Sequence, residues 1–431
     1  MEVQRAKPPS WLGSALLIVS AMAGVGLLGL PRALAHTGWL GLVVLALCAL
    51  FSYITTGHYL RILLASIDPD WVGVIDYSVL GYQAFGQAGG VLAHITQNTT
   101  LIGSSIIYLV VVGHMLHTLT PVVPAPAYSS VAGVLLCVFV CFVPSLRKVR
   151  WNAYLAVSST CLVAVLILGM LLVAEVPEPE LVNFDYSGLA YTFAVFTYAF
   201  GGHSIHPSIF AITGNMGVWR KATLFAFPVT ALLLYMPVAA VSYRVFGRSL
   251  IAVDSVFEAL DGTLPPGFAP LYVVAVVAMT LHVVMTLPII FIPVLQRLEA
   301  SVIGHCCAQP RVVELHSMEL SERPANCCTA NRAMRIVVTL AITLLAALLP
   351  YVTELMAIVA SLSIACDVYI FPSLFYLQRT NQSVSWASKA LAWLIVLFGL
   401  VGATAGLAKA IPALAAKITD DTAFSSGSSS S

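Results

Sequence analysis

Ser20-Ala21-Met22-Ala23-Gly24-Val25-Gly26-Leu27-Leu28-Gly29-Leu30-Pro31 is the stretch that decides the fold. It lies in an apolar run from Trp11 to about Leu34. That run is too long for a signal-peptide core of about 7–15 residues, so it reads as a membrane span despite Arg5 and Lys7 ahead of it. Three glycines within six residues, followed by proline, weaken the helix at mid-membrane depth. Non-helical backbone is tolerated at that depth only where it is buried in protein or lines a cavity. Thr197-Tyr198-Ala199-Phe200-Gly201-Gly202-His203-Ser204-Ile205-His206-Pro207 has the same character, with a glycine pair, polar groups and a proline inside another apolar run.

The flanking pattern places both stretches in one architecture. Eleven apolar runs are long enough to span, at roughly 11–34, 38–64, 89–118, 127–144, 151–174, 187–212, 221–246, 268–296, 333–350, 353–378 and 387–413, the ninth and tenth being divided at Pro350. The expected fold is therefore an all-α integral membrane domain over residues 11–413. A cytosolic segment (1–10) precedes it and a low-complexity, disordered tail (414–431) follows. Residues 65–88, with Asp68, Asp70 and Asp76, form an inner loop with room for an interfacial helix, and residues 297–332 form the longest inner loop. The interrupted runs are the first and the sixth, matching members of two five-helix halves. Breaks at matched positions in two halves point to a transporter's binding site.

The chemistry of such a site follows from the backbone. An unwound turn leaves N–H groups free at the start of the next half-helix, where the dipole also favours a carboxylate. Carbonyls freed at the other break suit an ammonium. An α-amino acid carries both groups. The candidate substrate-binding residues are Ser20, Ala21, Gly24, Val25, Gly26, Tyr198, Ala199, Phe200, Gly201 and Gly202. The competing reading is that the glycines only let helices pack closely.

Gly24 through Pro31, followed by Thr37-Gly38-Trp39, resembles the first-span signature of the amino acid/auxin permease family. Phe200-Gly201-Gly202-His203-Ser204 with Pro207 resembles its sixth span, and Ser361-Leu362 leading to Phe371-Pro372-Ser373-Leu374-Phe375-Tyr376-Leu377 resembles its tenth. The resemblance implies a LeuT-like fold of 5+5 inverted repeats plus one C-terminal helix, and amino acids as substrates. Relatives often carry Asn where this chain has Ser20, and sodium-coupled members are thought to use it near the ion; its replacement speaks for protons instead.

Asp367 stands deep in the tenth run, where a charged acid costs about 2.5–3.5 kcal/mol. It is either a proton carrier or a hydrogen-bonded tie between helices. His203, in the sixth-span break, is either a second proton-coupling candidate or a structural hydrogen-bonding group. Asn98, Thr99, Thr100, Ser104 and Ser105 give the third span a polar stripe that either lines the cavity or bonds neighbouring helices. Glu354, at the mouth of the tenth span, reads as an exposed helix-start carboxylate. His305, Cys306, Cys307, His316, Cys327 and Cys328 lack zinc-site spacing, so a reduced, palmitoylated loop is the expectation.

Composition agrees. Hydrophobic residues are 59% and charged residues 9%, and the net charge of +1 leaves no basic surface for nucleic acid. Of the 20 Lys and Arg residues only Arg32, Arg244, Arg248, Lys409 and Lys417 fall on the outer side, which sets the N-terminus inside. Neither an acid dyad nor an H-E-x-x-H motif marks an intramembrane enzyme, and no filter loop or charged ring marks a channel. The expected function is secondary active transport of small amino acids by alternating access, coupled to H+, with no cofactor and no metal. A sensor on the same fold, or a sodium-coupled or facilitative carrier, is the alternative. Plasma membrane and acidic organelle (vacuole or lysosome) both fit.

Overall fold

The computed structural model describes residues 10–66, 77–143, 150–306, 325–380 and 384–428, and those residues are overwhelmingly helical. The first apolar run is two helices, α1 (Trp11–Met22) and α2 (Gly26–Thr37), bent by 56° at the glycines. Helices α3 (Leu40–Ser66), α4 (Tyr77–Leu119), α5 (Ala125–Phe142) and α6 (Arg150–Leu171) follow. The sixth run is α7 (Leu189–Ala199), a 3-10 turn at Gly202–Ile205 and α8 (His206–Thr213). Then come α9 (Met216–Pro228), a π segment Val229–Tyr235, α10 (Met236–Phe246), the short α11 (Val256–Leu260), α12 (Ala269–Cys306) and α13 (Ala325–Leu348). The tenth run is α14 (Val352–Val359), two π turns at Ala360–Ile364 and Cys366–Ile370, and α15 (Phe371–Thr380); α16 (Trp386–Ser428) closes the chain.

Among the described residues nine helices are long and apolar enough to cross a bilayer, or ten when the bent pair is one span. This is below the eleven read from hydropathy. The difference is the sixth run, which the break cuts into pieces of 11, 4 and 8 residues. Large apolar side chains such as Leu135, Val165, Leu233 and Val337 remain on the surface, as lipid-facing positions require.

Three expectations about connections change. Helix resumes at Tyr77 and kinks at Phe85–Gly86, where Gly86 takes φ 61°, so the 65–88 stretch ends in a short helical arm; Asp68, Asp70 and Asp76 lie outside the described residues. The 297–332 stretch is helical at both ends, as far as Cys306 and from Ala325, which shortens the connection; Cys307 and His316 lie outside the described residues, and His305, Cys306, Cys327 and Cys328 are placed only as helical backbone. The tail expected to be disordered from 414 continues α16 to Ser428. Ala413, Ala415, Ala416 and Lys417 are good helix formers, and Lys417 is anchored by ion pairs to Asp254 and Glu354.

Candidate substrate site

The two breaks face each other. In the first, Gly24 N–H turns back to Met22 O at 2.9 Å. The other carbonyls that the bend frees are met by side chains: Thr160 donates to Ala23 O at 3.0 Å, and the Tyr235 hydroxyl lies 2.6 Å from Met22 O and 2.8 Å from Ala199 O. With one hydrogen, Tyr235 serves either carbonyl and so bridges the two breaks. The Gly26 N–H, first in α2, has no backbone acceptor among the described residues. It is a free donor at the positive end of a 12-residue helix, the environment a carboxylate prefers.

A small cavity of about 30 Å³, open on one side, lies between them. Ala21, Met22 and Gly26 form one wall; Thr100, Leu101, Ser104 and Tyr108 of α4 form the second; Tyr198, Gly201, Gly202 and Ile205 form the third. Ile290 of α12 and Ile364 of the first π turn complete it. Among the described residues no charged side chain lines it.

Of the residues nominated from sequence, Ala21, Gly26, Tyr198, Gly201 and Gly202 line this cavity. The other five lie behind its wall. Ser20 is buried and donates to Leu17 O at 2.9 Å in its own helix. Gly24 lies under the Tyr108 hydroxyl and the His282 ring. The Val25 side chain is fully buried. Ala199 packs against Gly26, and Phe200 stacks edge-on to Tyr235 at 5.3 Å. Sequence reasoning missed Met22, Leu101, Tyr108, Ile205, Ile290 and Ile364. Tyr108 could have been found, because it continues the Thr100–Ser104 face at intervals of four. The isoleucines look like any lipid-facing or core residue. Thr100 and Ser104 belong to the cavity, whereas Asn98 bonds back to His94 and Ser105 to Leu101 O within α4.

Asp367 is fully buried beside the cavity, outside its lining. Thr100 Oγ1 and Ser204 Oγ donate to its Oδ2 at 2.8 and 2.6 Å, and Oδ1 has no hydrogen-bond partner among the described residues. Tyr77, on the arm before the Phe85–Gly86 kink, donates to the Asp367 carbonyl. His203 is turned the other way. Its Nε2 lies 3.0 Å from Thr55 Oγ1, 3.1 Å from Thr56 Oγ1 and 3.1 Å from Ser52 O, all on α3.

At the Asp254 end, a four-charge cluster joins four segments. Arg32 of α2 pairs with Asp254 in the loop before α11, and Lys417 of α16 lies 3.3 Å from Asp254 and 3.0 Å from Glu354 of α14. Glu354, expected to be exposed, is buried because Lys417 and the Thr353 hydroxyl cover it. Burial alone would raise the Asp254 carboxyl, but Arg32 and Lys417 outweigh it and hold the group below the ordinary aspartate value. A carboxyl held low in the folded state contributes stability that is present above its unfolded pKa and lost as pH falls through the folded one. Asp254→Asn is therefore expected to lower the melting temperature at neutral pH. It should also flatten the loss of stability that the wild type shows below about pH 4. Thermal melts across acidic pH check this; an unchanged acid limb would show that the cluster contributes nothing.

Apolar spans, two of them broken at points that face each other across a small cavity, define a multi-pass membrane protein. The profile of the transmembrane amino acid transporter proteins matches residues 7–412, so the chain belongs to that family, the amino acid/auxin permeases. It is 25% identical over 429 residues to amino acid transporter AVT1D of Arabidopsis thaliana, covering 95% of this chain and 71% of the relative. It is 24% identical over 407 residues to amino acid transporter AVT3B of the same plant, covering 90% and 89%. It is 22% identical over 419 residues to sodium-coupled neutral amino acid transporter 7 of Xenopus laevis, covering 91% and 86%.

Proposed function

We propose that this protein is a proton-coupled secondary transporter of small, uncharged amino acids, working by alternating access. In this reading eleven spans form two inverted five-helix repeats plus a last helix, with the N-terminus in the cytosol. The observation that carries it is the cavity between the two breaks. The free Gly26 N–H at a helix start suits the substrate carboxylate, and the Ala21 carbonyl, with no backbone partner among the described residues, suits the ammonium. The rest of the wall is aliphatic, aromatic or hydroxyl, so it offers no countercharge to a cationic or anionic side chain.

Proton coupling rests on Asp367. A carboxylate buried this deeply is expensive while charged, and a proton arriving with substrate removes that charge before the site reorients. Ser20 stands where sodium-coupled relatives are thought to carry Asn, which favours protons over the ion named in the amphibian relative. Uptake of labelled L-alanine into proteoliposomes tests the scheme. Accumulation should follow an imposed pH gradient, acid on the side of entry, and Asp367→Asn should lose at least about tenfold of it, the factor set by roughly 1.4 kcal/mol, while exchanging alanine across the membrane. Uptake that follows sodium and ignores pH would end the coupling reading. pH-driven accumulation that survives in Asp367→Asn would end the assignment of the residue.

A further inference from the structure

Among the described residues, Thr100 is the one hydroxyl that both lines the cavity and touches the Asp367 carboxylate. Its single hydrogen has two acceptors in reach, Asp367 Oδ2 at 2.8 Å and Ser363 Oγ at 2.9 Å. Ser363 donates its own hydrogen to Val359 O at 3.0 Å, which leaves its oxygen free to accept from Thr100. Gln97 fixes the Ser204 carbonyl to α4 at 2.7 Å, so Thr100, Ser204 and Asp367 are held as one unit across α4, the sixth-span break and the second π turn.

We propose that Thr100 is the positioning residue through which the substrate cavity responds to the charge of Asp367. This rests on the reading of Asp367 as the proton site. While the carboxylate is ionised, a charge-assisted bond draws the Thr100 hydrogen onto Oδ2. Towards the cavity the hydroxyl then offers lone pairs only. Once Asp367 takes a proton from the aqueous side, that bond weakens and the hydrogen is released to Ser363 or to a substrate carboxylate. The hydrogen stays on the Thr100 oxygen throughout, and the only proton gained is the one on Asp367. Proton and substrate thus favour one another's binding.

The groups that could distort this response are few in kind. Tyr77, backed by the Tyr59 ring, meets the Asp367 carbonyl from the arm of α4. Cys366 adjoins it in the chain, and Arg297 of α12 acts on it as a cation. His203 and His206, on the segment that carries Ser204, turn their rings towards α3, Trp219 and Phe227.

Binding of radiolabelled L-alanine to the purified full-length protein, followed between about pH 5 and about pH 8, tests the inference. In the wild type the affinity should rise several-fold towards acid. Thr100→Val, which keeps the shape and removes the hydroxyl, should flatten that profile, and Thr100→Ser should restore it. Ser363→Ala removes the acceptor that competes with substrate for the released hydrogen and should steepen the slope without touching the cavity wall, which keeps the test decisive if Thr100→Val does not fold. A flat profile in Asp367→Asn combined with a wild-type slope in Thr100→Val or Ser363→Ala overturns the role of Thr100 and leaves Asp367 standing. A slope that persists in Asp367→Asn, or a flat wild-type profile, overturns the reading of Asp367 itself.

Discussion

Gly26→Val is expected to lower amino acid uptake by about 10- to 100-fold, while the protein still reaches the membrane. A Cβ at this position would stand 2.7 Å from Ala199 Cα and 2.9 Å from Ala199 Cβ, so it strikes the main chain of the opposite broken helix. Flexible side chains can move aside; this backbone cannot without opening the cavity. Overpacking costs about 1–3 kcal/mol in ordinary cores, and here it falls on the wall of the site. The neighbouring glycines should grade below it. At Gly201 a Cβ meets Tyr198 O at 2.9 Å and Ile364 side-chain atoms at 3.1 and 3.2 Å, whereas at Gly202 it meets only the movable Met22 Cγ at 3.0 Å and His206 Nε2 at 3.4 Å. Gly202→Ala should therefore retain more uptake than Gly201→Ala, and Gly201→Ala more than Gly26→Ala. Initial uptake rates in proteoliposomes, normalised to reconstituted protein, read the order. Normal transport by Gly26→Val would remove the cavity from the mechanism.

Glu299→Ala should destabilise the folded protein by about 3–5 kcal/mol, the usual cost of breaking a buried ion pair from one side. Glu299 and Arg335 side chains are 7% and 4% exposed, and their contact of 2.5 Å joins α12 to α13. Arg335 also donates to Val140 O of α5 at 2.6 Å, so an unpaired guanidinium would remain among three helices. Glu299→Ala should melt well below wild type in detergent. Replacing both residues by methionine should recover much of the loss, because it removes both members of the buried pair. Equal melting temperatures for Glu299→Ala and wild type would show that water reaches the pair.

Most of the architecture could be read from the chain because a bilayer leaves the backbone so few options. The glycine clusters located both breaks, and Pro350 marked the division between α13 and α14. Lone features were harder to interpret. Glu354 looked like a solvated carboxylate because its partner, Lys417, lies 63 positions further on, in a segment whose serine-rich end suggested disorder. Gly24 has the composition of a site residue, yet the bend turns it towards Tyr108 and His282. The isoleucines of the cavity carry no local signal, since only the crossing of α12 and the tenth span beside the breaks distinguishes Ile290 and Ile364 from their neighbours. Thr100 showed itself as part of a polar face, but its link to Asp367 spans 267 positions and no periodicity reports it.

The π turns at Ala360–Ile364 and Cys366–Ile370 bear on how this chain compares with its relatives. A π turn is what an α-helix becomes when a residue is inserted and the flanking turns keep their places. A relative with an unbroken α-helix along the same path is therefore one residue shorter at each turn. An alignment that forbids gaps within helices will slip there, and Asp367, inside the second turn, will be matched to a residue occupying a different place in space. Superposition of backbones, with a gap allowed at each turn, is the comparison that can find its true counterpart.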